Sequence, residues 1–113
     1  MVKRDLAVDR PQPQTRYMVM AHNSHVLKDW QELVRQRHSA AIDLWDHIAS
    51  QPATPIGARY LPLKGAQAWF RYAGQDLRQW QYEVDNRARV KVAVGEDLVI
   101  ITSVSLGHPK GNE

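Results

Sequence analysis

The chain has 113 residues, a formal net charge of +3 and no cysteine. This length predicts a single domain, and the lack of cysteine excludes disulfides and thiolate chemistry and favours a reducing cytoplasm. No apolar run is long enough to span a membrane and the N-terminus lacks an apolar signal region, so we expect a cytoplasmic, non-exported protein with no membrane partner.

The first half of the chain predicts a strand and two helices after a polar start. Residues 1–16 contain two prolines and no apolar periodicity, which predicts a flexible arm before one domain over residues 17–113. Residues 17–21 are short, apolar and β-capable. Asn23 or Ser24 can cap a first helix and Ser39 a second, and together these helices predict an αα-hairpin that buries Trp30 and Trp45 against a sheet.

The second half predicts an antiparallel meander of three strands. Apolar and polar residues alternate from Gln79 to Val84 and from Arg89 to Val94, and the turns fall at residues 85–86 and 95–97. A third strand begins at Leu98 and is apolar on both faces, so it should lie inside the sheet. The expected fold is α+β, with an N-terminal strand, an αα-hairpin and a three-stranded antiparallel meander.

The basic excess is concentrated in one part of the chain. Residues 1–58 carry seven Lys/Arg and six Asp/Glu, residues 59–94 carry seven and three, and residues 95–113 carry one and three. A local basic face favours a polyanionic partner such as nucleic acid, although an ordinary solvated strand face has the same pattern.

The sequence contains no motif for a metal, nucleotide or serine-hydrolase site. His22 and His25 straddle a predicted strand end and helix cap rather than one helical face, and no His-Glu-x-x-His is present. There is no glycine-rich loop that could cradle a phosphate. We therefore expect neither a metal nor a cofactor.

Basic side chains remain as candidates for chemistry. Cleaving RNA without a metal needs a base for the 2′-hydroxyl, an acid for the leaving 5′-oxygen and cations around the phosphorane. Histidine suits the proton transfers because its unperturbed pKa is about 6.5, and Arg and Lys suit the developing phosphate charge. The candidates are Arg59, Lys64, Arg87, Arg89, Lys91, His108 and Lys110.

Four short segments occur in an order that resembles the RelE/ParE superfamily of bacterial type II toxin–antitoxin toxins. They are Leu63-Lys64-Gly65, Tyr82-Glu83-Val84, Arg89-Val90-Lys91-Val92 and Gly107-His108-Pro109-Lys110. The resemblance spans residues 17–110 and implies a RelE-like fold and a cognate antitoxin as partner. It further implies an mRNA interferase that cleaves ribosome-engaged message and inhibits translation, or, in the ParE branch, a gyrase poison.

The resemblance also implies roles for individual residues. Lys64 matches the family's basic position before the sheet, Arg89 matches the arginine of its central strand, and His108 and Lys110 match the cluster after the last strand. We expect His108 to transfer a proton while Arg89 and Lys64 hold the scissile phosphate. The expected RNA-binding residues are Arg59, Arg87, Lys91 and Lys110, and residues 66–78 are expected to be an insertion relative to the family.

Each assignment has a structural alternative. Arg89 could be a solvated cross-strand partner of Glu83, Lys64 could be a surface turn lysine, and His108 could be a turn residue that ends a strand. The alternative function is a member of the same fold without nuclease activity, either a gyrase inhibitor or an inactive partner-binding protein. The sequence leaves the oligomeric state open.

Overall fold

The computed structural model describes residues 16–107. The predicted arm over residues 1–16 therefore lies almost wholly outside the described residues, and so do His108 and Lys110. Within the described range the elements are β1 (Met18–Ala21), α1 (Ser24–Gln36), α2 (His38–Ser50), β2 (Tyr60–Pro62), a 3₁₀ turn (Gly65–Gln67), β3 (Trp69–Tyr72), β4 (Gln75–Glu83), β5 (Arg89–Val94) and β6 (Leu98–Ser105).

These strands form one mixed sheet. β1 pairs parallel with β6, and the remaining pairs are antiparallel, in the order β1-β6-β5-β4-β2 with β3 also paired to β4. β6 lies between β1 and β5, so the prediction of an interior third strand is confirmed. The α+β fold with an N-terminal strand, a helix hairpin and an antiparallel meander is also confirmed, and β2 and β3 extend it.

The two helices begin differently. Asn23 caps α1, as predicted, because its side-chain oxygen accepts a hydrogen bond from the backbone N–H of Val26 at 2.9 Å. The prediction that Ser39 caps α2 is wrong. That helix begins at His38, and Arg37 occupies the cap position without a side-chain hydrogen bond. Within residues 16–107, neither helix combines the length and apolarity that crossing a bilayer requires.

The main core lies between the helix hairpin and one face of the sheet. Leu33 and Leu44 are completely buried there. Tyr60 from β2 stacks on Trp80 of β4 with ring centroids 4.9 Å apart, and its hydroxyl donates to the Pro52 carbonyl at 2.6 Å. β2 is thereby fixed against β4 at the edge of the sheet.

The two helical tryptophans do not share one environment. Trp30 is partly buried and packs against the core, whereas 37% of Trp45 is exposed. α2 turns Ala41, Leu44 and Ile48 towards the sheet, and Trp45 lies about 100° further around the helix. The prediction that Trp45 is buried is therefore wrong, and its ring lines an outer groove between the helices.

Residues 66–78 form the end of the 3₁₀ turn and most of a β-hairpin. Ala73 and Gly74 have φ values of 51° and 81°, as a two-residue turn with both central residues at positive φ requires. β4 consequently starts at Gln75 rather than at the predicted Gln79. The segment expected to be an insertion thus lengthens the central strand.

This hairpin covers one end of the sheet face opposite the helices. A second, smaller apolar cluster forms there, in which Phe70 and Tyr72 of β3 pack against buried residues of the central strands. The other end of that face, beside the β4–β5 turn, carries an open cavity. The buried members of the cluster are Leu77, Ala93 and Ile100.

Candidate active site

A polar cavity of about 410 Å³ lies on the open part of the sheet, opposite the helices. Three of its lining side chains are cationic, and none of the described residues that line it is acidic. Such a cavity favours a polyanion and disfavours a cationic ligand. We call it the basic pocket; it is lined by Gln81, Asn86, Arg87, Arg89, Lys91, Ser103 and Ser105.

Strand register brings these residues to one place. Arg89 pairs with Ser105, and Lys91 lies between Ser103 on β6 and Gln81 on β4. Successive side chains of a strand point to opposite faces, so alternate residues share the open face. The pocket is therefore built on the three central strands and on the turn that joins β4 to β5.

A β-bulge in β6 determines which side chains of that strand reach the pocket. Val92 pairs with Ile101 and Lys91 with Ser103, so Thr102 is the extra residue. Before the bulge Ile101 points into the main core, and after it Val104 does so. An odd insertion reverses the two faces of a strand, which places Ser103 and Ser105 on the open side.

Arg89 lines the basic pocket and also makes the cross-strand contact with Glu83 that is the alternative to a functional role. Its Nη2 lies 3.6 Å from Oε2 of Glu83, and its Nη1 donates to the carbonyls of Asp85 and Asn86 at 3.3 and 3.4 Å. The side chains of Arg89 and Glu83 are 36% and 44% exposed. An ion pair this exposed contributes roughly 0–1 kcal/mol, so a phosphate can replace the carboxylate at little cost.

Two other predicted residues line a neighbouring cavity. Arg59 and Lys64 border a space of about 310 Å³ that shares Gln81 with the basic pocket. Arg59 donates to the carbonyls of Glu83 and Val84 at 3.1 and 3.3 Å, which ties the start of β2 to the end of β4. Lys64 is exposed. The structure thus groups three of the predicted cations in one pocket and these two beside it.

The β4–β5 turn, which carries two pocket residues, is held by Asp85. Its carboxylate accepts hydrogen bonds from the backbone N–H groups of Arg87 and Ala88, each at 2.8 Å, and contacts the Arg37 guanidinium at the end of α1. The hydrogen bond from Ala88, then those from Arg37 and Arg87, lower the pKa of Asp85 from 3.8 to about 2. The turn is therefore anchored by an ionised carboxylate.

The described chain ends beside the pocket. Arg87 Nε donates to the carbonyl of Gly107 at 3.1 Å. Gly107 has φ +70°, and a Cβ there would lie 2.5 Å from the Arg87 carbonyl oxygen and 2.7 Å from its carbon. Only glycine fits this close approach. The exit of the chain from β6 is thus fixed against a pocket residue.

None of the histidines and tyrosines within residues 16–107 lines the basic pocket. His22 meets the edge of the Phe70 ring at 5.0 Å, and His47 Nε2 lies 2.8 Å from the Thr54 carbonyl. Burial raises the pKa of Tyr60 and of Tyr82, both of which lie in the main core. In the described part of the chain no three His, Asp or Glu side chains come together as metal ligands.

A polar network that the sequence does not reveal adjoins the pocket at Lys91. Gln79 is buried and bonds to Thr102 at the bulge and to the backbone of Gln67 in the 3₁₀ turn, and Gln67 in turn accepts from Lys91. A glutamine within an apolar–polar alternation carries no sign of burial. The change of apolar spacing between Ile101 and Val104 was the available signal for the bulge.

Comparison with known proteins supports the fold. The chain is similar to a chain of the archaeal RelE–RelB complex from Pyrococcus horikoshii OT3, with a TM-score of 0.55 and 18% sequence identity, and the match covers 83% of this chain and 98% of that one. No protein-family model and no curated protein matches the sequence. The chain therefore has a RelE-like fold, and its function has to be argued from its own residues.

Proposed function

We propose that this protein is the toxin of a type II toxin–antitoxin system, which cleaves mRNA in the cytoplasm without a metal ion and so inhibits translation. The basic pocket carries the proposal, because it groups three cations on the face of a RelE-like sheet that lies opposite the helices. A single RNA strand is a polyanion, and a basic groove that follows its backbone is a common way to bind it.

Cleavage would use the RNA strand's own 2′-hydroxyl. That oxygen loses its proton and attacks the adjacent phosphorus, the bond from phosphorus to the 5′-oxygen breaks, and the 5′-oxygen takes up a proton. We assign Arg89 to the scissile phosphate, because it is the first residue of β5, it lines the pocket, and a fixed cation stabilises the charge that develops in the transition state. Glu83 would be released from Arg89 as the phosphate binds.

We assign one proton transfer to His108 and further phosphate contacts to the remaining cations. His108 and Lys110 lie outside the described residues, but Gly107, which precedes them, accepts its hydrogen bond from a pocket arginine. Histidine titrates close to neutral pH, as a proton-transfer residue should. Lys64 and Arg59, in the adjoining cavity, would bind phosphates that flank the scissile one. Arg87 and Lys91 would bind phosphates inside the pocket.

Induction of the protein in growing cells, followed by nucleotide-resolution mapping of new RNA 5′ ends, tests this proposal. The expected result is growth arrest with new 5′ ends within coding sequences. Growth arrest with intact RNA would contradict the nuclease assignment.

One observation favours the alternative of a fold member without nuclease activity. Among residues 16–107, none of the side chains that line the basic pocket transfers protons readily near neutral pH. A gyrase inhibitor or an inactive partner-binding protein needs no such group. DNA breaks trapped by gyrase on induction, without RNA cleavage, would support the gyrase branch, and growth without arrest would support the inactive one.

A cognate antitoxin is the proposed protein partner, with an acidic segment that covers the basic pocket. Steering and rim contacts between opposite charges weaken as salt rises. The affinity of the purified pair should therefore fall between about 50 and 500 mM salt. A constant affinity over that range would show that the contact is mainly apolar.

A further inference from the structure

Gln67, the last residue of the 3₁₀ turn, stands beside the basic pocket. Its side-chain Oε1 accepts a hydrogen bond from Nζ of Lys91 at 2.5 Å. The 3₁₀ turn belongs to the segment that precedes β3, outside the three central strands that carry the pocket. Through this contact, the segment reaches a cation that lines the pocket.

The buried side chain of Gln79 fixes the backbone of Gln67. Its Nε2 donates to the Gln67 carbonyl at 3.0 Å, and its Oε1 accepts from Oγ1 of Thr102 at 2.6 Å. The backbone N–H of Gln79 also donates to the Ala68 carbonyl at 2.8 Å. A buried amide whose two ends are both bonded is costly to displace, because any movement leaves a buried polar atom unpaired. The 3₁₀ turn is thereby locked to the central strands at the bulge.

We infer that Gln67 is a positioning residue, which holds the ammonium group of Lys91 over the basic pocket so that Lys91 binds a phosphate of the RNA strand. The nature of the polyanion rests on the proposed function. A lysine ammonium has three donors, so Gln67 occupies one and leaves two for phosphate oxygens. Holding a long, flexible side chain in place before binding reduces the rotamer entropy that binding would otherwise cost.

Binding of a 2′-O-methyl RNA oligonucleotide to the full chain tests this inference, because that probe has no free 2′-hydroxyl and cannot be cleaved through it. Fluorescence anisotropy over a range of salt gives the affinity and its salt slope. Lys91→Ala should weaken binding and reduce the slope by about 0.7, the value for one phosphate contact on a single strand. Gln67→Ala should weaken binding about two- to tenfold, the net worth of one hydrogen bond, and leave the slope unchanged.

Two further variants separate positioning from a general structural effect. Gln67→Glu should weaken binding more than Gln67→Ala, because a carboxylate would still hold Lys91 but would neutralise its charge. Gln75→Ala is the matched control, since Gln75 is an exposed glutamine of the adjoining β3–β4 hairpin, outside the basic pocket. It should bind like the parent. Equal thermal unfolding of these variants and the parent would show that the fold is intact.

The double variant Lys91→Ala/Gln67→Ala decides the question. Positioning predicts that Gln67→Ala has no further effect once Lys91 is gone. A loss of the same size in both backgrounds, or no loss in the parent, would overturn the inference.

The failure of the inference and that of the proposed function are distinguishable. The nuclease proposal alone would be overturned if the parent binds the probe and the effects of Gln67→Ala and Lys91→Ala are not additive, but natural RNA is left intact. The positioning role alone would be overturned if the protein cleaves RNA and the two substitutions have additive effects on binding. A parent that does not bind the probe would overturn both.

Discussion

If RNA binds at the proposed site, Glu83 competes with it for Arg89. The two residues are directly opposite in strand register, and Oε2 of Glu83 lies 3.6 Å from Nη2 of Arg89. Two unit charges at that separation attract by about 1 kcal/mol in water, and ion pairs this exposed contribute roughly 0–1 kcal/mol in practice. Glu83→Gln removes the competitor, so we expect RNA to bind up to about fivefold more tightly.

The assay is titration of the non-cleavable RNA oligonucleotide at low and at high salt. Asp76→Asn is the matched control, because it removes the same charge from a carboxylate paired with Arg71 at 2.9 Å on the β3–β4 hairpin, outside the basic pocket. Glu83→Gln should gain more affinity than Asp76→Asn at low salt, and both gains should fade at high salt. Equal gains from the two variants would mean that only net charge matters. Weaker binding by Glu83→Gln would show that the carboxylate belongs to the binding site.

Three other predictions concern the support of the site. Leu33→Ala should lower the free energy of unfolding by about 2–5 kcal/mol, and by more than Trp45→Ala, since Leu33 is fully buried and Trp45 is 37% exposed; the opposite order in urea unfolding would refute the packing described. The pKa of Asp85 is lowered from 3.8 to about 2 in the folded protein, chiefly by the hydrogen bond from Ala88. The ionised carboxylate therefore stabilises the fold fully at a pH above the pKa of Asp85 in the unfolded chain. This stabilisation is lost as the pH falls through the pKa of Asp85 in the folded protein. Asp85→Asn should therefore melt below the parent at neutral pH and converge with it near pH 2, and a constant difference would contradict this. Gly107→Ala should reduce RNA cleavage while the core stays folded, because its Cβ would collide with the backbone of the adjacent pocket arginine; full activity would show that this close approach is dispensable.

Local patterns were sufficient for most elements of the fold. β5 and β6 were predictable from β-branched alternation between two turns, and α1 from an asparagine before an apolar stripe. Trp45 was misplaced because Leu44 and Trp45 are both apolar, so the spacing did not decide which of them faces the sheet. β3 was missed because its apolar face is buried by a hairpin that folds over the sheet, which is a tertiary effect.

The basic pocket was predictable only where its residues share a strand or a turn. Arg87, Arg89 and Lys91 come together because they alternate along one turn and strand. Lys64 was expected beside Arg89, but the path of the loop before β3 places it in the adjoining cavity. The sequence does not reveal the contact on which the role proposed for Gln67 depends, because it joins residues 24 apart in the chain.

Cleavage of a defined mRNA by Arg89→Ala, compared with the parent and with Arg71→Ala, tests the proposed active site most directly. Arg71 is a matched control, since it is an exposed arginine paired with a carboxylate on the β3–β4 hairpin, away from the basic pocket. Arg89→Ala should lose roughly 100- to 1000-fold in rate, by analogy with the removal of one oxyanion donor, and His108→Ala about 100- to 10,000-fold if it transfers a proton. Both should remain folded, while Arg71→Ala cleaves like the parent. Undiminished cleavage by Arg89→Ala would contradict the assignment of the basic pocket as the active site.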